Sequence, residues 1–118
     1  MNQYKLKDAS KREIEFFLIA LHQRFDGLIL AKNATELDLI NFKILATKRL
    51  FKKLDNKISA GKIIPKKMSL TLEWDAIRVL ADACIFFENG TPHQKALAEK
   101  TKQQLIPVLL RAETYLKP

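Results

Sequence analysis

One cysteine, Cys84, stands in a chain of 118 residues, so no intrachain disulfide can form and nothing suggests an oxidising compartment. Three glycines and four prolines supply few tight turns, which argues against a sandwich or barrel. Long apolar runs are missing too. The first, Phe16 to Leu21, has six residues and follows Glu13 and Glu15. A signal peptide needs a longer apolar stretch behind a basic start, and a membrane helix needs about 18 or more apolar residues. The expectation is a cytoplasmic protein without a membrane span.

Chemistry-bearing patterns are equally scarce. His22, His93 and Cys84 make no Glu-x-x-His or Cys-x-x-Cys pairing, so no metal site and no cofactor is expected. Cys84 lies among Ala81, Ala83, Ile85 and Phe86 without a local base, which suits a buried structural thiol rather than a nucleophile. There is no glycine-rich phosphate loop and no Gly-x-Ser-x-Gly elbow. Asp75, Arg78 and Asp82 have the spacing of ordinary ion pairing along a helix surface. No enzymatic activity is expected.

What the chain does have is apolar residues at helical spacing. Its 47% hydrophobic and 29% charged residues are those of a folded domain, and its length fits one, spanning 1–118. Residues 1–9 read as a polar lead-in. Ser10 with Glu13 has the form of a capping box that starts a helix over about 11–32, with Ile14, Phe17, Leu18, Leu21, Phe25 and Leu28 on one stripe. Thr35 can cap a second helix, about 36–59, which carries Ile40, Ile44, Phe51, Leu54 and Ile58 and stops at Ala60-Gly61. Ser69 can cap a third, about 70–88, with Leu70, Trp74, Ile77, Leu80 and Cys84 inward. Asn89-Gly90 ends it, and Thr91-Pro92 opens a fourth, about 92–116, which Pro107 should kink or split. Four amphipathic helices with short connections predict an all-α, up-down antiparallel four-helix bundle.

Charge is not spread evenly over these helices. Between Lys43 and Lys67 nine basic residues face a single acid, Asp55, whereas the rest of the chain balances twelve basic against twelve acidic residues. The whole formal excess of +8 therefore sits at one end of the molecule. Lys48, Arg49, Lys52, Lys53 and Lys57 on the second helix, with Lys62, Lys66 and Lys67 in the following loop, are the candidate contacts to a polyanion. DNA or RNA backbone is the first choice of ligand and an acidic protein the second. Aromatic residues are not interleaved there, so base stacking is not implied. A helix-turn-helix over Leu28 to Lys53 is disfavoured, because the cations fall in the C-terminal half of its second helix.

A second constellation is apolar. Phe16, Leu39, Phe42, Leu45, Val79 and Phe86 lie off the main stripes and exceed what one four-helix core requires. They predict either a partner interface, with a homodimer as the simplest form, or a second or third helix more central than a regular four-helix bundle allows. Two functions follow: a non-catalytic binder of nucleic acid backbone through the basic surface, or an assembly module working through the apolar faces with the lysines as solubilising charge.

Overall fold

A second periodicity runs beneath the helical one. In Tyr4-Lys5-Leu6-Lys7, and again in Ser69-Leu70-Thr71-Leu72-Glu73, apolar and polar residues alternate with the period of a half-buried strand. A computed structural model describes residues 3–34, 38–59 and 67–116, and the side chains of 3–32, 40–59 and 67–111. Its elements, in order, are β1 (Gln3–Ala9), α1 (Lys11–Ala34), α2 (Asp38–Ser59), β2 (Met68–Glu73), α3 (Trp74–Ile85) and α4 (Pro92–Leu116). β1 and β2 form a two-stranded antiparallel sheet in which Leu6 faces Leu70 and Tyr4 faces Leu72. The register shifts between Leu6 and Ala9, where Asp8 takes a φ of 60°, a left-handed conformation that aspartate accepts more readily than most residues.

The all-α bundle is thereby corrected to a mostly helical chain with a two-stranded sheet. From Gln3 onward the polar lead-in is β1, and residues 70–73, expected in the first turn of the third helix, belong to β2. Leu70 fits a helical stripe with Trp74 and Ile77, but a helix would leave Leu6 without a place in the core. Pairing buries Leu6, Leu70 and Leu72 together and gives both backbones their hydrogen-bond partners. Ser69 consequently caps nothing. α3 opens after Glu73 with no side-chain cap, and the Asp75 carboxylate accepts the Ala76 N–H at 2.9 Å.

α3 ends at Ile85 with Phe86 as its C-cap, short of the expected 88 and before Asn89-Gly90, whereas the heads of α1 and α4 follow the sequence closely. The Ser10 hydroxyl accepts the Glu13 N–H at 3.2 Å at the head of α1. At the head of α4 the box is reciprocal: Thr91 Oγ1 accepts from Gln94 N–H at 3.1 Å, and Gln94 Oε1 accepts from Thr91 N–H at 3.0 Å, with Pro92 in the first helical position. α4 runs unbroken through Pro107, so it does not split there. Thr35 and the stop at Ala60-Gly61 lie outside the described residues.

The core gathers around α3, which touches α1, α2, α4 and both strands. Phe17, Ile14, Leu21, Leu54, Ile77, Leu80 and Leu105 are fully buried there. Two buried threonines are satisfied within their own helices: Thr47 Oγ1 donates to the Lys43 carbonyl at 2.7 Å and Thr101 Oγ1 to the Leu97 carbonyl at 2.8 Å.

The glycines in α1 and before α4 make a contrasting pair. A Cβ at Gly27 would meet nothing, whereas one at Gly90 would overlap the Phe87 ring, which packs edge-on to Phe16 at 5.1 Å. Gly27→Ala is expected to stabilise the fold by about 0.5–1 kcal/mol. Gly90→Ala should destabilise it by about 1–3 kcal/mol. Urea unfolding of the two variants checks both signs at once.

Candidate functional site

Four of the cations on α2 reach the β2–α3 unit. Lys43 pairs with Asp82 at 4.0 Å and Arg49 with Asp75 at 4.0 Å, while Lys53 Nζ donates to the Thr71 carbonyl at 2.6 Å and Lys57 Nζ to the Ser69 carbonyl at 3.2 Å. The last two contacts have a clear physical purpose. Among the described residues no third strand covers the edge of β2, and lysine ammonium groups occupy its carbonyls. Lys53 and Lys57, read from the sequence as free contacts for a polyanion, are thus tied to the protein's own backbone.

Lys48 and Lys52 differ from them. Both are exposed and neither forms an ion pair with a described residue. Arg49 stands beside them with 76% of its side chain exposed, so its long contact to Asp75 leaves most of the guanidinium open. Lys67 is exposed just before β2, away from this group in sequence, and Lys62 and Lys66 lie outside the described residues.

Between α1 and α2 the same three cations rim a cleft of about 570 Å³. Leu21 and Phe25 from α1 and Leu45 and Phe51 from α2 make its walls, Thr47 lies at its base and His22 stands on its edge. Among the described residues no aspartate or glutamate lines it. Because the Thr47 hydroxyl is already bonded to the Lys43 carbonyl, the interior offers apolar surface and little else. Leu45 is 56% exposed, and Phe42, one turn earlier on the same helix, is 58% exposed. One side of α2 therefore passes from bare apolar residues to bare cations within three turns.

Comparison with protein families, curated proteins and solved structures finds no match. The site is carried by its own residues.

The apolar positions singled out in the sequence divide into two groups. Phe42, Leu45 and Phe86 are exposed, although Arg24 covers one face of the Phe86 ring at 4.2 Å. Gln23 also fastens that segment to α1, its side-chain amide bonding the Glu88 backbone at both carbonyl and N–H. Phe16 and Val79, by contrast, are corrected from interface to core: they are 2% and 3% exposed, Phe16 between Phe17 and Phe87, and Val79 on a helix covered on several sides. The side chain of Leu39 lies outside the described residues. The α1 wall of the cleft was not legible as a site, since Leu21 and Phe25 read simply as members of a core stripe.

Burial pushes the Cys84 thiol from its ordinary 9.0 up to about 12, more strongly than Lys102 and the Thr101 hydroxyl draw it down. Among the described residues no group of three His, Cys, Asp or Glu is placed to hold a metal ion, and no helix is long and apolar enough to cross a membrane.

Proposed function

We propose that this protein is a non-catalytic binding module that takes an anionic macromolecule on the open side of α2. The observation that carries this reading is the convergence of Lys48, Arg49 and Lys52 on one rim that no described aspartate or glutamate lines. Lys48 and Lys52 form no ion pair with a described residue and Arg49 makes only a long contact to Asp75, so the three together raise the local potential and attract a polyanion from a distance. Nucleic acid backbone satisfies this charge by itself, contributing affinity without sequence reading. Cytoplasmic residence accords with a lone free thiol.

The test uses a labelled DNA duplex and labelled polyglutamate, followed by anisotropy at about 50 and 200 mM salt. Wild type is expected to bind an anionic probe and to release it as salt rises. Reversing Lys48 and Lys52 to glutamate should weaken binding by about tenfold or more and flatten the salt dependence, since each lost phosphate contact removes roughly one unit of slope. Lys53→Glu instead acts on β2 and should show mainly in stability. If neither probe binds at the lower salt, the reading fails.

A further inference from the structure

The cleft asks more of a ligand than charge. A phosphodiester backbone would meet Lys48, Arg49 and Lys52, yet would leave Leu45, Phe42 and the walls of a 570 Å³ apolar cleft in water. Clefts of roughly 300–1,000 Å³ with apolar walls and a few polar groups at the margin are the usual form of a binding site, not of a solvated surface. Their occupant must bring apolar groups for the interior and negative charge for the rim.

We infer that the cleft between α1 and α2 receives an acidic amphipathic helix from a partner protein, its apolar side chains entering between Leu21, Phe25, Leu45 and Phe51 and its carboxylates meeting Lys48, Arg49 and Lys52. The inference rests on the reading of this face as a site for an anionic macromolecule and names the class. Geometry favours a helix. Two helices packed side by side leave a groove parallel to their axes, and a third helix lays apolar residues at i, i+3, i+4 and i+7 into it. From Phe42 to Lys52 the exposed track on α2 runs ten residues, or about 15 Å at 1.5 Å per residue. Three turns of an incoming helix cover that length.

Charge decides the identity of the occupant. A second copy of this chain seated isologously would bring a second set of Lys48, Arg49 and Lys52 into the interface and, among the described residues, no carboxylate in the cleft to meet either set. Like charges across an interface oppose association. A partner with glutamates flanking a leucine stripe supplies the carboxylates. The cations would steer the encounter and orient the helix, and the apolar walls would hold it.

Four measurements on the full chain test this. A labelled peptide of about 18 residues, leucine at i, i+3, i+4 and i+7 with glutamate flanking, is compared with a scrambled peptide of identical composition and with a duplex of similar charge. Anisotropy should show the amphipathic peptide binding about tenfold tighter than the scrambled one. Circular dichroism should show it gaining helix on binding. Leu45→Ser and Phe42→Ser, both at exposed positions where the fold loses little, should each weaken it by about fivefold or more at either salt concentration. The Lys48 and Lys52 reversal should weaken it chiefly at low salt. Equal binding of the two peptides, indifference to Leu45→Ser and Phe42→Ser, or a duplex that binds tighter than either peptide would overturn the helix while leaving the polyanion reading intact. Absence of binding by both peptides and the duplex would overturn the two together.

Discussion

Shortening Leu6 to alanine is expected to lower the free energy of unfolding by about 2–5 kcal/mol, the loss found when a leucine is cut back inside a closed core. A leucine in a polar lead-in would lose almost nothing. Leu6 is 2% exposed and stands opposite Leu70, itself fully buried, so the two side chains share one packed layer between the sheet and the helices. Leu70→Ala and Leu72→Ala should show losses of the same size, while Thr71→Ala between them, at an exposed position, should stay within about 0.5 kcal/mol. Large, small, large at successive positions is the signature of period two. Urea denaturation followed by tryptophan fluorescence reads the series directly, since Trp74 sits at the end of β2 and packs against the core. Equal losses at positions 70 and 71, or none at Leu6, would contradict the sheet.

Cys84 is expected to make stability fall as the solution becomes alkaline. In the folded protein burial holds its thiol neutral up to about 12, whereas the unfolded thiol ionises near 9.0. Below pH 9 neither form ionises and the advantage of the folded state is complete. Between 9 and 12 the unfolded chain releases a proton that the folded chain retains, so the unfolded state gains and stability drops, by about 1 kcal/mol per pH unit. Lysines and tyrosines titrate in the same window, and comparison with Cys84→Ala removes their shared contribution. The difference in unfolding free energy between wild type and variant should therefore shrink steadily above pH 9. At about pH 8 a thiol reagent should modify the native protein far more slowly than the denatured chain, because burial both shields the thiol and makes the reactive thiolate rarer. Fast modification of native protein would show that the thiol is neither buried nor neutral.

These two expectations mark the boundary between what residue order conveys and what it does not. Ser10, Thr91, Pro92 and Gly90 act on their immediate neighbours, and the ends of α1 and α4 were legible for that reason: a cap bonds an N–H three residues away, within any local window. Cys84 was legible as a structural thiol because its surroundings on the same helix are apolar. The concentration of charge between Lys43 and Lys67 was legible as a fact of composition, but its division was not. Whether a lysine is free or bonded depends on what stands opposite, and the acceptors of Lys53 and Lys57 are carbonyls of a strand.

That strand is the deepest difference. Met68 to Glu73 satisfies both periods, since Leu70 and Trp74 are four apart and Leu70 and Leu72 are two apart, and no local rule separates them. A helix closes its hydrogen bonds within itself, but a strand takes them from a partner, and the partner of β2 is β1 at the far end of the chain. The sequence by itself determined four helices, the caps of α1 and α4 and the place of the charge along the chain, because each depends on residues within a few positions of one another. Only the tertiary structure decided that a two-stranded sheet packs with them, that Phe16 and Val79 are core, that two lysines bond a strand's carbonyls, and that Lys48, Arg49 and Lys52 stand over an apolar cleft. Each of those depends on pairs of residues brought together across the fold, where burial and electrostatic pairing are settled by neighbours in space.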